Sequence, residues 1–381
     1  MRVAYVTTDP GIPALGAKGA SIHVQAILAA FLRRDAEVTL FAPEPGPLPT
    51  ALAGLRVHAL PPRPKGDAEA RADALLEANG ELPERLAAEG PFDLVYERHA
   101  LFAFAATGYA ATRGIPAVLE VNAPLLDEQR RHRGLVRAAE AQRATRRAMR
   151  RATRVVAVSP AVAEYARGHG AAAPLVVPNG VDAARFAAPP RFAGPFTAGF
   201  VGTLKPWHDL ETLVAALPAL RARVPDARLL IVGDGPERER LAALVDSLGL
   251  AAAVEFTGAR PAASVPGLLA RMHAGVAPYR GDAPFYFSPL KLYEYMAAGL
   301  PVVASDVGDL ARIVIGASAG RAVPPGDPAR LAQALAALAE DPAAAAQCGA
   351  AGRAQVVAHH GWDRVLDRSL AGLPLPLRGA A

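Results

Sequence analysis

The sequence predicts an α/β protein built from two Rossmann-like domains with parallel sheets. Short runs rich in β-branched residues alternate with longer runs rich in Ala, Leu and Arg, and this alternation occurs twice along the chain. Strand–helix alternation indicates βαβ units, which place helices on both faces of a parallel sheet. The length of 381 residues agrees with this interpretation, because it exceeds one typical domain and suits two.

The elements follow from the same alternation, taken in chain order. In the first half we predict strands at 3–6, 38–41, 94–96, 117–121, 155–158 and 175–177, with helices at 22–33 and 129–151. In the second half we predict strands at 198–201, 228–232, 254–256, 275–277 and 301–304, with helices at 210–223, 237–248, 265–270 and 329–338. A last helix is predicted at 361–370.

A segment rich in Pro and Gly, 187–195, marks the predicted domain boundary. We therefore predict one domain over 1–188 and a second over 189–360, followed by a terminal helix and tail over 361–381. The tail is expected to fray.

Composition limits the possible partners without choosing one. The net charge of +5 suits acidic ligands, anionic membrane surfaces or nucleic acid. The single cysteine, Cys348, excludes an internal disulfide and a cysteine-based metal cluster. The first predicted strand follows Met1-Arg2 directly and no signal peptide is recognised, so we expect a cytoplasmic protein. The most apolar stretch, 101–111, is too short to span a bilayer.

The segment 129–154 is densely rich in arginine. It is predicted either to contact an anionic membrane surface peripherally or to present an ordinary solvated helix face. Nucleic acid is a poor fit, because aromatic residues are not interleaved with the arginines.

The most informative stretch is 288–305, which reads as a loop, a helix, a tight turn and a buried strand. Pro289 is expected in the first helical turn, and Gly299 is expected to end the helix. Ser288 and Lys291 lie at the helix start, where free N–H groups and a lysine form an anion site. Glu294 follows one turn later and can accept hydrogen bonds from a diol. A phosphate next to sugar hydroxyls is the chemistry of a nucleotide-sugar.

Gly-rich loops follow several predicted strands. In 202–209, Lys205 and His208 are candidate hydrogen-bond donors and Asp209 a candidate helix cap, although a plain β–α turn is the alternative. Gly233 and Gly258 follow the next two strands, where a turn that needs positive φ explains them equally well.

In the first half, the loop 16–21 leads into the first helix. Its glycines, Gly19 among them, would let backbone approach a ligand, and the alternative is a flexible loop that Ser21 caps. His23 is expected either to face a ligand or to lie at the surface.

Two strand ends in the first half carry polar residues. Glu120 and Asn122 close one predicted strand, where they could bind or polarise an acceptor or cap a helix. Glu97 and Arg98 close the preceding one, where a surface ion pair would contribute little. No metal-binding signature, P-loop or Gly-x-Ser-x-Gly motif is present in the sequence.

Together these motifs resemble glycosyltransferase family 4. The resemblance rests on the runs 176–182, 202–209, 232–236 and 288–304, in this order along nearly the whole chain. It implies the GT-B fold: two Rossmann-like domains that face each other across a cleft, with the C-terminal helix crossing back to the first domain. It also implies metal-independent, retaining transfer of a sugar from a UDP-, GDP- or other nucleotide-sugar, with the donor in the second domain and the acceptor in the first. No cofactor is implied.

On this basis we assign site residues in three groups. The catalytic candidates are Lys205, Lys291 and Glu294. The donor-binding candidates are Gly19, Gly202, Thr203, His208, Gly233, Gly258, Tyr286, Ser288, Pro289 and Leu290. The acceptor-binding candidates are His23, Arg98, Glu120 and Asn122.

Four positions depart from the family pattern. Tyr286 stands where many members carry the first glutamate of Glu-x7-Glu, Thr203 and His208 stand where many carry Arg and Lys, and Asn122 stands where many carry His. These departures leave the identity of the transferred sugar open. The acceptor is also open among a glycan, a lipid-linked molecule and a small molecule. Two other functions also stay open: a nucleotide-sugar epimerase of the same fold, and a non-catalytic protein that binds nucleotide-sugars or glycans.

Overall fold

The computed structural model describes residues 1–62, 64, 66–132, 134–186, 194–282 and 284–376, and divides them into two compact units. The first unit comprises 1–179, 286–288 and the chain from Trp362, and the second comprises 180–285 and 289–361. Most of the predicted boundary segment, 187–193, lies outside the described residues, so the boundary at 188 stays a prediction.

The first unit is built on a seven-stranded parallel sheet in the order β3-β2-β1-β4-β5-β6-β7. Its strands are β1 (Arg2–Thr7), β2 (Glu37–Ala42), β3 (Arg56–Ala59), β4 (Leu94–Arg98), β5 (Ala117–Val121), β6 (Arg154–Ala157) and β7 (Leu175–Val176). The central strands are buried along their whole length except at Arg2, as expected for a sheet with helices on both faces.

The helices of the first unit lie between these strands, except for the last. They are α1 (Gly19–Leu32), α2 (Ala68–Glu89), α3 (Ala105–Arg113), α4 (Leu125–His132), α5 (Ala138–Arg151), α6 (Pro160–Gly168) and the C-terminal α14 (Trp362–Leu370). The last of these contacts α1 through ion pairs of Arg33 and Arg34 with Asp363, at 3.1 and 2.8 Å.

The second unit repeats the design with a six-stranded parallel sheet in the order β10-β9-β8-β11-β12-β13. Its strands are β8 (Thr197–Val201), β9 (Arg228–Val232), β10 (Val254–Gly258), β11 (Ala274–Ala277), β12 (Val302–Ser305) and β13 (Gly320–Val323). Its helices are α7 (Leu210–Arg223), α8 (Arg238–Ser247), α9 (Val265–Leu269), α10 (Leu290–Ala297), α11 (Leu310–Gly316), α12 (Pro328–Glu340) and α13 (Pro342–His359).

Both sheets contain a point where the strand order reverses. In the first it lies between β1 and β4, and in the second between β8 and β11. Open α/β sheets bind ligands beyond the carboxyl ends of the strands at such points. The residues that follow β1, β4, β8 and β11 are therefore the ones to inspect for a site.

The structure confirms two parallel α/β sheets and corrects several local predictions. The helix predicted over 129–151 is two helices, α4 and α5, because Gly134 and Arg137 adopt φ of 70° and 48°, which no α-helix contains. The strands β3 and β13 were not predicted from the sequence. Both are edge strands whose residues are largely half-buried or exposed, so they lack the continuous apolar run of the central strands.

Among the described residues, no helix is long and apolar enough to cross a bilayer.

Candidate functional site

Lys291 is the most unusual side chain of the second unit. It lies in the first turn of α10, and its Nζ is 4.0 Å from the centre of the Phe200 ring and 5.4 Å from that of Tyr279. The side chain is buried, and among the described residues Nζ has no hydrogen-bond partner. Burial therefore lowers the pKa of Lys291 well below its usual value, although the charge of Glu294 opposes this. A buried amine without a hydrogen bond is suited to receive an anion, because an adjacent negative charge favours its protonated form.

Glu294 is half-buried one turn further along α10. Burial raises its pKa, and the positive charges of Arg185 and Lys291 partly offset this. Arg185 belongs to a short 3-10 helix, Ala183–Phe186, and donates to the Ala262 carbonyl at 2.8 Å. Glu294 thus lies in a positive field, where it is available as a hydrogen-bond acceptor.

The Gly-rich turns after β8, β9 and β10 meet near Lys291. Gly202 has φ of 147°, and a Cβ built on it would lie 3.0 Å from Lys291 Nζ. A Cβ on Gly233, at φ of 133°, would lie 2.0 Å from the Gly202 carbonyl oxygen, and Gly233 N–H donates to the Gly258 carbonyl at 3.0 Å. The structure therefore brings these three predicted residues together, and the absence of side chains at Gly202 and Gly233 permits the close approach.

The loop after β8 carries Thr203, Lys205 and His208. Thr203 is exposed, and Lys205 is half-buried with Nζ 5.7 Å from the centre of the Trp207 ring. His208 contacts the Thr203 carbonyl through Nδ1 at 2.7 Å. Because a carbonyl only accepts, Nδ1 is the protonated nitrogen. Burial and then the charges of Lys291 and Lys205 lower the pKa of His208 to about 3. The Nδ1–H of His208 is thus used within the loop, which leaves Nε2 to contact a ligand. The predicted role of His208 in donor binding stays a prediction.

Two predicted helix caps are also corrected. Asp209 has φ of 46°, and its carboxylate accepts from Thr212 Oγ1 at 2.8 Å rather than from a backbone N–H. Ser21 lies inside α1, and its hydroxyl donates to the Pro13 carbonyl at 2.6 Å. Pro289 precedes α10, which begins at Leu290, instead of occupying its first turn.

A cavity of about 510 Å³ lies at the same edge of the second sheet. Its lining comes from the loops that follow β8, β11 and β13, and consists of Asp209, Arg280, Gly281, Asp282, Pro325 and Gly326. The lining contains both acidic and basic side chains, so the cavity suits a polar ligand.

In the first unit, Glu120 is the centre of a buried polar cluster. His23 Nε2 contacts its Oε1, Asn122 Nδ2 donates to Oε1 at 2.7 Å, and Arg98 Nη1 lies 3.6 Å from Oε1. Burial alone would raise the pKa of Glu120, but the charge and hydrogen bond of His23, the charge of Arg98 and the Asn122 amide hold it down at about 2. The four predicted acceptor-binding residues therefore form one cluster.

Asn179 connects this cluster to the segment 286–288. His23 Nδ1 lies 2.8 Å from Asn179 Oδ1, while Asn179 Nδ2 donates to the Ser288 carbonyl at 2.6 Å. Asn179 N–H also donates to Ser288 Oγ at 3.0 Å. The structure thus places Ser288 with the first unit, where its hydroxyl is engaged.

Tyr286 also belongs to the first unit. Its hydroxyl contacts Glu128, and its carbonyl accepts from Ser159 Oγ at 2.7 Å. These contacts give Tyr286 an anchoring role within the unit. Its predicted role in donor binding stays a prediction.

The loop before α1 is held by its own hydrogen bonds. Lys18 Nζ donates to the Gly11 carbonyl at 2.9 Å, and Gln25 Nε2 donates to the Gly16 carbonyl at 2.7 Å. The first helical residue is Gly19, and no side chain caps this helix end. Its N–H groups therefore provide potential donors to an anion.

Glu97 and Arg98 do not form the surface pair considered from the sequence. Both are buried, and the carboxylate of Glu97 accepts from the Thr107 N–H at 3.0 Å. Burial raises the pKa of Glu97 to about 7, against the lowering effect of that hydrogen bond. Arg98 instead pairs with Glu120.

Sequence reasoning missed four residues that shape these two sites. They share long-range contacts that no local pattern indicates, and they are Asn179, Arg185, Phe200 and Tyr279. For Asn179, the available signal was the run 176–182, which the sequence analysis used only for family resemblance.

Comparisons with known proteins agree with this architecture. The family model described as Glycosyltransferase Family 4 matches residues 17–185, and the one described as Glycosyl transferases group 1 matches residues 195–341. The matches thus fall on the regions of both sheets.

Curated relatives are similar over part of their length. The chain is 34% identical over 200 residues to the glycogen synthase of Mycobacterium tuberculosis, covering 52% of this chain and 47% of that protein. It is 38% identical over 171 residues to the phosphatidyl-myo-inositol mannosyltransferase of Mycolicibacterium smegmatis, covering 43% and 42%. The matched part is about half the length of these relatives.

Solved structures share the fold across nearly the whole chain. Sucrose-phosphate synthase from Thermosynechococcus elongatus is 23% identical with a TM-score of 0.75, covering 96% of each chain. The Anabaena protein HepE in complex with UDP is 21% identical with a TM-score of 0.74, covering 97% of this chain and 98% of that one. The GT-B fold, the two family models and their order along the sequence lead to one conclusion: this chain belongs to glycosyltransferase family 4.

Proposed function

We propose that the protein is a glycosyltransferase that moves a sugar from a nucleotide-sugar to the hydroxyl of an acceptor. The observation that carries the proposal is the buried ammonium of Lys291, which lies without a hydrogen-bond partner among the described residues at the start of α10. An isolated buried cation is costly, and an adjacent anion removes that cost. The diphosphate of a nucleotide-sugar is such an anion.

Transfer develops negative charge on the departing nucleoside diphosphate. Fixed cations and N–H groups aimed at its phosphates stabilise that transition state. Lys291, Lys205 and the free N–H groups at the start of α10 supply these interactions in the proposed mechanism. They act without a metal ion, and metal-independent transfer is part of the proposal.

Glu294 binds the ribose hydroxyls in this mechanism. Burial raises its pKa, whereas hydrogen bonds donated by two hydroxyls favour the ionised carboxylate. Fixing the ribose orients the glycosidic bond relative to the acceptor, which is how positioning contributes to rate.

We propose further that the sugar keeps its anomeric configuration. Inversion needs a general base for the acceptor hydroxyl, and Glu120 is the carboxylate nearest to that role in the first unit. Its pKa of about 2 makes it a weak base near neutral pH. This supports attack on the same face as the leaving group, in which the departing phosphate takes the proton.

A donor screen tests the proposal. The melting temperature of the protein is measured with UDP, GDP, ADP and dTDP and then with their sugars. Among the sugars, GDP-mannose and UDP-glucose are tested first, because relatives are named as GDP-mannose-dependent and HepE was solved with UDP-glucose. Stabilisation by one nucleotide, followed by sugar transfer to a hydroxyl acceptor with retention, is the expected result. The absence of any stabilisation would contradict the proposal.

Two further outcomes of that screen identify the other candidate functions. Conversion of the donor sugar without an acceptor would indicate an epimerase. Tight nucleotide binding without consumption of any donor sugar would indicate a non-catalytic binding protein.

We also propose that α5 contacts an anionic membrane surface from the cytoplasmic side. Arg146, Arg147, Arg150 and Arg151 are exposed on this helix, and among the described residues none of them forms an ion pair with a carboxylate. The opposite face of α5, which includes Ala144 and Ala148, is buried in the first unit, so adsorption would be electrostatic and without insertion.

Sedimentation with vesicles tests this contact. Vesicles that contain phosphatidylserine should bind the protein at low salt and release it at about 0.5 M salt, because surface charges are then screened. Replacing Arg146, Arg147 and Arg150 with Gln should abolish binding. The same change at Arg223, Arg240 and Arg271, which pair with carboxylates in the second unit, is the matched control. Equal loss in both triple variants would contradict the proposal.

A further inference from the structure

The first unit holds a group of buried and half-buried polar side chains that we name the strand-end cluster: His23, Arg98, Glu120, Asn122 and Asn179. The three ionisable members have exposures of 4%, 7% and 2%. Arg98 and Glu120 occupy neighbouring register positions of β4 and β5, so their side chains leave the sheet on the same face. The charge balance of this cluster indicates what it can bind.

The hydrogen bonds of the cluster determine the protonation of the His23–Glu120 pair. Asn179 Nδ2 donates to the Ser288 carbonyl, so its Oδ1 is the atom that faces His23 Nδ1. Nδ1 must therefore carry a hydrogen. The contact between His23 Nε2 and Glu120 Oε1 needs one more proton, whichever atom carries it. Taken as a pair, His23 and Glu120 are then neutral.

The positive charge of Arg98 is then in excess within the cluster. Its guanidinium is always protonated, and the ion pair that it forms within the described residues is with Glu120, whose charge His23 already balances. In addition, Arg98 Nη1 has no hydrogen-bond partner in the described part of the chain. A buried cation in excess of its counter-charge favours binding of an anion.

Glu120 offers a second, different contact. His23, Asn122 and Arg98 all approach Oε1, whereas Oε2 is buried and makes no close hydrogen bond among the described residues. The buried hydroxyl of Tyr96 also interacts with this carboxylate, and a ligand hydroxyl would join it there. A carboxylate oxygen only accepts, so Oε2 suits a hydroxyl. The cluster therefore presents one site for an anionic group next to one site for a hydroxyl.

The cluster lies where ligands bind in such sheets. Arg98 ends β4 and is in register with Thr7 at the end of β1, which is the point where the strand order reverses. Thr7 Oγ1 is also buried without a hydrogen-bond partner among the described residues. It adds a neutral polar group to the same strand ends.

From these contacts we infer that the strand-end cluster binds an acceptor that carries an anionic group, a phosphate or a carboxylate, beside a hydroxyl. Arg98 binds the anionic group and Glu120 Oε2 the hydroxyl. The inference rests on the proposed function, because it states the chemical class of the acceptor. The same chemistry would also fit a phosphate of the donor, and the experiment separates the two sources.

Nuclear magnetic resonance of the full-length protein with ¹⁵N-labelled histidine tests the inference. The probes are glucose 6-phosphate, glucose, inorganic phosphate and the nucleoside diphosphate found in the donor screen, and the ring signals of His23 report binding to the cluster. All titrations are repeated in Lys291→Met, which removes the cation of the second unit. A response that persists there is independent of the donor site, so failure of this inference and failure of the proposed function are distinguishable.

We expect glucose 6-phosphate to shift the His23 signals in both backgrounds and to bind at least about tenfold more tightly than glucose. Arg98→Gln should weaken glucose 6-phosphate binding by about tenfold to a hundredfold, the range for a hydrogen bond to a charged group. Glu120→Gln should leave inorganic phosphate binding equal or tighter, because it removes a negative charge. A purely structural role for the cluster would not give opposite effects in these two variants.

Control variants keep the result interpretable. Arg143→Gln changes an exposed arginine of the same unit, whose side chain is 70% accessible, and should leave all titrations unchanged. Should Arg98→Gln fail to fold, Arg98→Lys keeps the charge and is expected to bind glucose 6-phosphate with intermediate affinity.

Three results would overturn the inference. They are equal binding of glucose and glucose 6-phosphate, unchanged affinity in the Arg98 variants, and His23 signals that respond only to a nucleoside diphosphate. The last result would assign the anionic group to the donor.

Discussion

Replacing Lys291 with Met separates binding from stability. Met keeps a long apolar chain against Phe200 and Tyr279, while it removes the ammonium that has no hydrogen-bond partner in the described part of the chain. A buried polar group without a partner costs about 1–3 kcal/mol, so the free energy of unfolding of the ligand-free protein should rise by up to that amount. Most substitutions of buried residues act in the opposite direction.

Nucleotide binding should weaken in Lys291→Met, although the stability of the ligand-free protein rises. A hydrogen bond to a charged group contributes about 1.5–3 kcal/mol, so the Kd of the nucleoside diphosphate found in the screen should rise about tenfold to a hundredfold. The rate of transfer should fall by about 10²–10³, as for removal of one preorganised donor to a developing charge. Nucleotide affinity is measured by calorimetry, and stability by urea unfolding without ligand.

The matched control for these measurements is Arg223→Met. It removes a surface cation that pairs with Glu340 in the same unit, and should leave the Kd unchanged and stability within about 0.5 kcal/mol. Unchanged nucleotide affinity in Lys291→Met, or a loss of more than about 1 kcal/mol in its stability, would refute the reasoning.

Three other substitutions test the local arguments. Burial raises the pKa of the Glu97 carboxyl from 4.5 to about 7, so the contribution of this group to the free energy of unfolding is complete below pH 4.5 and is lost as the pH rises to 7. Glu97→Gln should remove this pH dependence in unfolding experiments and should be up to about 3 kcal/mol more stable than the wild type above pH 7. Gly233→Ala should lower the free energy of unfolding by about 1–3 kcal/mol and weaken nucleotide binding, because its Cβ would lie 2.0 Å from the Gly202 carbonyl oxygen at a positive φ; wild-type stability would contradict this. Trp362→Ala should cost about 3–5 kcal/mol in chemical denaturation, because the 7% exposed indole packs edge-on against His23 at 4.9 Å; a cost under about 1 kcal/mol would show that α14 is not part of the folded core.

The central strands of both sheets were predictable because their sequences are short, continuous apolar runs. The run at 228–232, for example, coincides with β9. In contrast, β13 begins with Gly320 at φ of 156° and contains an exposed arginine, which gives no pattern that distinguishes it from a loop. Edge strands depend on pairing with a neighbour, and the sequence of the strand alone does not show that pairing.

The residues of the candidate sites also fall into those that the sequence predicts and those that it does not. Lys291 and Glu294 were predictable because their chemistry and spacing lie within one helix turn. The contact of His23 with Asn179 joins residues 156 positions apart, so no local pattern contains it. The protonation of His208 could not be predicted either, since it depends on burial and on two lysines, one in the loop after β8 and one in α10.

Hydrogen–deuterium exchange of the full-length protein tests the central claim, which is that the nucleotide-sugar binds at the carboxyl end of the second sheet against Lys291. The nucleoside diphosphate that raises the melting temperature is added, and amide protection is mapped along the chain. The account predicts protection of 202–205, 233–235 and 290–294 in the wild type, with much weaker protection at the same concentration in Lys291→Met. Nucleotide binding that leaves these three segments unprotected would contradict it.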